Sequence, residues 1–136
     1  MPVTDRKNNL TTTVTSVTLQ SESTLQAECF QWAWNYLPET RKLLCYNLNN
    51  SKNRVDGARN KAMGLIPGRS DMVFYWDGQA RMIEFKQPGE RQSKVQKDWE
   101  RVIKAQGFEY YIVDNAEDFK SLMLTILGKP KTELGA

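Results

Sequence analysis

Histidine is absent from the 136 residues of this chain. Its absence excludes Ser-His-Asp hydrolysis, cysteine nucleophiles activated by histidine, zinc bound through imidazole and general-base catalysis by imidazole. If the protein is an enzyme, carboxylates and lysine must do the chemistry. We expect no organic cofactor.

Cysteine and long apolar runs are also scarce. The two cysteines, Cys29 and Cys45, cannot build a disulfide framework, and we predict free thiols, which suit a reducing compartment. No apolar stretch approaches the roughly 20 residues that span a bilayer, and the polar, threonine-rich amino end does not resemble a secretory signal. We therefore expect a cytoplasmic protein, in a bacterial or phage-infected cell, that does not contact a membrane.

The composition is that of an ordinary globular domain. Apolar residues make up 40% of the chain and charged residues 26%, and the length suits one domain because two halves would each approach the lower size limit for a core. The net charge is only +3, but seven basic residues and one acid lie between Arg41 and Ser70. This local excess fits either a surface for a polyanion or an ordinary solvated cluster.

Hydrophobic periodicity and turn residues predict an α/β fold with a mixed sheet and helices on both faces. The predicted order is helix, strand, short helix, strand hairpin, helix, strand and helix. We assign residues 21–128 to this domain and residues 129–136 to a polar tail. Residues 1–20 are assigned to an arm that orders only partly or pairs as an edge strand.

Three helix starts are predicted from capping residues. Ser23 with Gln26, and Ser93 with Gln96, have the spacing of a capping box. Asp114 is predicted to cap the last helix. These positions set the expected start of each helix.

The first helix carries an apolar stripe formed by Leu25, Cys29, Trp32 and Tyr36. At 100° per residue, Glu28 lies about 60° from the centre of the stripe, so its carboxylate is expected to edge the core. Trp34 lies about 180° away and is expected to be exposed, which suggests an interface. Trp32 and Trp99 are expected in the core.

A predicted hairpin carries the residues that suggest chemistry. Asp77-Gly78 is a strong turn signal, and alternation along the returning strand puts Glu84 and Lys86 on one face. Asp71 begins the neighbouring strand, so it should pair near Glu84 or Lys86. Taken singly, Glu-x-Lys suits a solvated strand face and Asp71 suits a turn.

Two carboxylates at this range repel each other unless a cation lies between them. Hard oxygen ligands with open positions suit Mg²⁺, with Mn²⁺ as a substitute, better than zinc or copper. The hairpin therefore predicts a divalent metal site.

The pattern resembles the virus-type replication-repair nuclease (VRR-NUC) branch of the PD-(D/E)xK nucleases. The resemblance covers about residues 24–127 and rests on a helical glutamate followed by the segments PGRSD, IEFK and QKDW. Family members often have proline where this chain has Ser70. The resemblance implies a restriction-endonuclease-like αβββαβ core with a central mixed sheet flanked by helices, plus a C-terminal helix.

The resemblance also implies a set of site residues. The metal would be held by Asp71, by Glu84 and by the backbone carbonyl of Phe85, with Glu28 contacting either the metal or its ligands. Lys86 would orient the attacking water and neutralise charge, and Gln96 would hold Lys86 or a phosphate oxygen. The five side chains expected to be catalytic are Asp71, Glu84, Lys86, Gln96 and Glu28.

Five residues are candidates for DNA contact. Four basic ones flank the hairpin in sequence and would bind phosphates without reading sequence, namely Arg54, Arg59, Lys61 and Arg69. The fifth, Asn49, stands in a stretch where family members often carry Asn-Gly-Gly.

The resulting hypothesis is a Mg²⁺-dependent endonuclease acting on branched DNA such as four-way junctions or flaps. Analogy with small family members adds a homodimer as a partner arrangement. Two alternatives stay open. One is a nuclease acting on linear duplex or single-stranded DNA in phage genome processing or defence, and the other is a non-catalytic nucleic-acid-binding module with the same fold.

Overall fold

The computed structural model describes residues 20–47 and 54–132. Its helices and strands, in chain order, are α1 (Glu22–Tyr36), β1 (Leu44–Tyr46), α2 (Arg54–Ala62), β2 (Met72–Trp76), β3 (Gln79–Phe85), α3 (Lys94–Ala105), β4 (Glu109–Val113) and α4 (Ala116–Leu127). The predicted order of elements is confirmed. Apart from Gln20, the predicted arm lies outside the described residues, as do residues 133–136 of the predicted tail.

The sheet is mixed, as predicted. Strands β1, β2 and β3 are antiparallel neighbours, and β4 runs parallel to β3 at the far edge. The hairpin between β2 and β3 turns at Asp77 and Gly78, whose φ angles of 55° and 73° are both positive, as a two-residue type I′ turn requires. This turn fixes the register of the pair.

Helices cover both faces of the sheet. On one face, α1 and α4 enclose the main core, which includes Phe74, Ile83, Phe85, Phe119 and Met123. On the other face, α3 packs Trp99 and Ile103 against Val73, Met82 and Tyr110. The α3 face has the smaller apolar cluster.

The start of α1 differs from the prediction. The N-cap is Ser21, whose hydroxyl accepts a hydrogen bond from the Thr24 amide at 3.1 Å, so the helix begins at Glu22. The predicted capping box at Ser23 is therefore wrong. Two serines stand within three positions, and only the tertiary path of the chain selects between them.

Of the other two predicted helix caps, one is confirmed and one is wrong. The capping box of Ser93 and Gln96 is present at the start of α3, as predicted. The cap of α4 is Asn115, not Asp114, and its side chain accepts from the Asp118 amide at 2.8 Å. The α4 prediction was thus one residue early.

Several smaller predictions are confirmed. Trp34 is 42% exposed, and the Arg41 guanidinium lies 5.1 Å from the centre of its ring. Trp32 is buried and Trp99 packs in the α3-side cluster. Both cysteines are free.

Across the described ranges, no helix is long and apolar enough to cross a membrane.

Candidate active site

The hairpin brings Asp71 and Glu84 together. Met72 pairs with Ile83 in the antiparallel register, so one step further puts Asp71 opposite Glu84. The Asp71 carboxylate is held by the backbone, because the Phe85 amide donates to its Oδ2 at 2.7 Å. Burial raises the pKa of Asp71, and the nearby Glu84 charge also raises it, whereas the Phe85 amide lowers it.

The Glu84 side chain is completely buried, with 0% exposure. Its Oε1 accepts hydrogen bonds from the Tyr110 hydroxyl and from Gln92 Nε2. Its Oε2 accepts no hydrogen bond from residues 20–47 or 54–132 and lies 3.8 Å from Lys86 Nζ. A buried carboxylate oxygen without a donor is costly unless a cation approaches it.

Lys86 is also buried, at 5% exposure. Its Nζ donates to Gln96 Oε1 at 2.8 Å, and the same oxygen accepts from the Ser93 amide at 2.8 Å. Gln96 therefore caps α3 and holds the lysine at once, so the two roles foreseen for it coexist. The structure thus brings together Asp71, Glu84, Lys86 and Gln96.

The loop before β2 is fixed against α3 by Gly68. A Cβ on Gly68 would lie 2.5 Å from the Val95 carbonyl oxygen, and its φ of 84° is unfavourable for other residues. Ser70, which stands where proline was expected, is fully buried and donates to the Met72 carbonyl at 2.9 Å. This hydrogen bond stiffens the approach to Asp71 without proline.

Two cavities open beside Asp71. One, of about 250 Å³, lies between α1, the Gly68 loop and α3, and Arg69 and Gln96 line it. The other, of about 410 Å³, lies between α1 and the end of β1, where Tyr46 is 64% exposed. Glu22 and Asp71 line both cavities.

The α1 glutamate in this cluster is Glu22, not Glu28. Glu22 Oε2 lies 3.9 Å from Lys86 Nζ. Burial, followed by a hydrogen bond from Glu22 to Glu90, raises the pKa of Glu22 to about 7. Glu28 is exposed and accepts from Gln20 Nε2 at 2.6 Å, so the prediction that it edges the core is wrong.

The error at Glu28 has a clear cause. Tyr36 was counted in the apolar stripe but is half exposed, whereas Ala33 is buried. Replacing Tyr36 by Ala33 rotates the stripe, so that Glu22 lies about 35° from its centre and Glu28 about 85°. The two glutamates are also about 9 Å apart along the helix axis.

Comparison with known proteins shows the family of this chain. The VRR-NUC domain profile matches residues 11–117. This chain belongs to the VRR-NUC domain family. The family is of nuclease type, and the predicted family is confirmed.

A solved structure, described as a VRR_NUC domain protein, has the same fold as this VRR-NUC chain. The two share 13% sequence identity with a TM-score of 0.65, over 82% of this chain and 92% of that one. The likeness confirms the predicted fold class. No curated protein matches this chain in sequence.

The candidate DNA-contacting residues of this VRR-NUC domain are dispersed. Arg69 lines the smaller cavity beside Asp71. Arg54, Arg59 and Lys61 lie exposed on α2 and line neither cavity next to Asp71. Asn49 lies outside the described residues.

The donor set suits a cation that needs few protein ligands. Among residues 20–47 and 54–132, no three or more His, Cys, Asp or Glu side chains are grouped to hold a metal. The VRR-NUC site instead offers two carboxylates and the Phe85 carbonyl at the end of β3. Mg²⁺ commonly takes one or two carboxylates and keeps several waters, so the donor set fits it.

Sequence reasoning missed four residues that contact the cluster. One of them, Glu90, lies 3.8 Å from Lys86 Nζ through its Oε2. Glu22 follows the N-cap of α1. It would have been identified if the apolar stripe of α1 had been assigned with Ala33 in place of Tyr36.

Gln92 and Tyr110 contact Glu84 from a loop and from β4. Their contacts depend on how α3 and β4 pack against β3, which no local pattern encodes.

Proposed function

We propose that this VRR-NUC protein is a Mg²⁺-dependent endonuclease that hydrolyses phosphodiester bonds in DNA. The observation that supports it most is the fully buried Glu84 carboxylate opposite Asp71, because its Oε2 accepts no hydrogen bond from the described residues and has the Lys86 ammonium 3.8 Å away as an ion-pair partner. Burial of this charged pair costs free energy that an apolar side chain of similar size would avoid, which supports a chemical role for the pair.

The metal in this proposal is held by Asp71, Glu84 and the Phe85 carbonyl. The Phe85 amide already orients the Asp71 carboxylate through Oδ2, and Glu84 supplies Oε2. When bound, Mg²⁺ supplies Lewis acidity to the scissile phosphate and acidifies a bound water.

The remaining residues of the cluster act on the attacking water and the phosphate. Lys86 orients the water and neutralises the charge that develops on the phosphate, and Gln96 holds the ammonium in place. Glu22 takes the role assigned to Glu28. With a pKa of about 7, its carboxyl is able to accept or release a proton near neutral pH.

The proposed substrate is branched DNA, such as a four-way junction or a flap, cut by a homodimer in the cytoplasm. The family resemblance supports the substrate, and the exposed Trp34 on α1 supports a protein interface. Arg69 and the basic helix α2 are the proposed phosphate contacts.

The test is a cleavage assay with purified protein on labelled four-way, flapped, linear duplex and single-stranded DNA. We expect cutting in Mg²⁺ or Mn²⁺ and none in chelator, with a preference for the branched substrates. Glu84→Ala is expected to abolish cutting while DNA affinity stays within a few fold, because metal chemistry and phosphate affinity reside in different residues.

Each outcome selects among the candidate functions. Products that persist in chelator would exclude the metal mechanism. Equal cutting of linear DNA would favour genome processing or defence over branch resolution. Binding without cutting in either metal would leave the non-catalytic module.

A further inference from the structure

The carboxylate of Glu84 is bonded unevenly. Tyr110 and Gln92 both donate to Oε1, while Oε2 accepts no hydrogen bond in the part of the chain that the structure describes. The side chain has no contact with solvent. Because both donors bind the same oxygen, they fix the orientation of the carboxylate. The other oxygen, Oε2, then faces Lys86 and can bind a cation.

Tyr110 is a direct donor to this carboxylate, because its hydroxyl donates to Glu84 Oε1. The ring is fixed by an edge-on contact with Trp99, with centroids 6.0 Å apart. Tyr110 pairs with Met82 in the parallel register, so it lies on the strand next to the one that carries Glu84.

Gln92 ties the carboxylate to α3. Its Nε2 donates to Glu84 Oε1 at 3.1 Å and to Glu100 Oε1 at 2.9 Å, which uses both amide hydrogens. Glu100 in turn pairs with Lys104 one turn further along the helix. The loop residue is therefore anchored to a rigid element at its far side.

We propose that Tyr110 and Gln92 are positioning residues that hold Glu84 with Oε2 directed at the metal of the nuclease reaction. This inference rests on the proposed function. Both residues act through Glu84 and neither touches the metal or the DNA. Groups that orient a metal-binding carboxylate typically change metal affinity by 10- to 100-fold when removed.

A purely structural role for Tyr110 is the alternative, since its ring fills the α3-side cluster. Tyr110→Phe separates the two, because it removes the hydroxyl and keeps the ring. Tyr111→Phe is the matched control. The Tyr111 hydroxyl also donates to a glutamate, but this is the exposed Glu109, two residues earlier on β4.

The experiment measures Mn²⁺ binding to the full-length protein by titration calorimetry, thermal unfolding without metal, and DNA cleavage kinetics. We expect Tyr110→Phe and Gln92→Leu each to weaken Mn²⁺ binding about tenfold or more and to lower kcat, with KM for DNA unchanged. The unfolding temperature without metal should stay within a few degrees. Tyr111→Phe should bind Mn²⁺ like the wild type.

The proposal is overturned if both variants bind Mn²⁺ as tightly as the wild type, or if Tyr111→Phe loses as much affinity. Should Tyr110→Phe fail to fold, Gln92→Leu decides, since Gln92 lies in a half-buried loop position. Failure of the proposed function would look different. The wild type itself would then bind no Mn²⁺, and both ideas would fall.

Discussion

The two faces of β3 differ in polarity although both are buried. Alternate residues along the strand point to opposite faces, and one set is apolar while the other is charged. On the α1 and α4 side, Ile83 and Phe85 are fully buried among apolar neighbours. On the α3 side, Glu84 and Lys86 are almost as deeply buried but polar. Burial of the first pair stabilises the fold, whereas burial of the second pair costs free energy that hydrogen bonds only partly offset.

This difference shows how a small fold can carry a buried polar site. Burial of apolar side chains on one face stabilises the fold. This stabilisation offsets the free-energy cost of removing the charged side chains on the other face from water. Substitutions on the two faces should therefore separate stability from activity, and the following predictions use that separation.

The largest expected effect is on activity, at Lys86. We expect Lys86→Met to lower kcat about 10²- to 10³-fold, because it removes the cation that would face the developing phosphate charge. DNA affinity should change by a few fold at most. The measurement is single-turnover cleavage at a temperature where circular dichroism shows the variant folded.

A matched lysine on the same side of the molecule controls for charge. Lys94→Met removes an exposed lysine that pairs with Asp98 on α3, and it should leave kcat unchanged. Equal losses in the two variants would contradict the assignment of Lys86 to the reaction.

The opposite face should respond in stability. Ile83→Ala is expected to lower the free energy of unfolding by about 2–5 kcal/mol, because it leaves a cavity in the main core. Ile112→Ala, on a β4 side chain that is 49% exposed, should cost less than about 1 kcal/mol. Urea unfolding measures both.

Activity per folded molecule completes this comparison. Below the unfolding transition, Ile83→Ala should cleave DNA at nearly the wild-type rate. A large loss of kcat in folded Ile83→Ala would show that the two faces are coupled, against the separation proposed for β3.

A smaller effect is expected within α1. Glu22→Gln should lower kcat about tenfold, since Glu22 faces Lys86 at the edge of the site. Glu28→Gln should have no effect, because Glu28 is exposed and pairs with Gln20. Cleavage rates of the two variants test whether Glu22, and not Glu28, is the α1 glutamate of the site. The reverse result would restore Glu28 in that role.

The smallest effect concerns exposed rather than buried charge. Arg59→Ala on α2 should weaken DNA binding a few fold and reduce the salt dependence of affinity by about 0.9 in log–log slope, with kcat unchanged. Arg101→Ala, which removes another exposed arginine, on α3, should leave the slope as it is. A slope that Arg59→Ala does not alter would remove α2 from the docking surface.

Local patterns predicted most of the fold and four residues of the candidate site, namely Asp71, Glu84, Lys86 and Gln96. Asp77-Gly78 fixed the hairpin register, and that register alone brings Asp71 opposite Glu84. The capping box that includes Gln96 was readable as well, because its spacing is local. The α1 glutamate was misassigned because Tyr36 looks apolar in sequence, although half of it is exposed.

The sequence by itself determined the elements, the hairpin and the acidic pair with its lysine, because turn chemistry and strand alternation act between neighbouring residues. Only the tertiary structure decided which side chains surround Glu84. Tyr110 reaches it through the parallel pairing of β4 with β3, and Glu22 approaches Lys86 through the packing of α1. Such contacts join distant segments, and their geometry depends on how whole elements pack rather than on any local period.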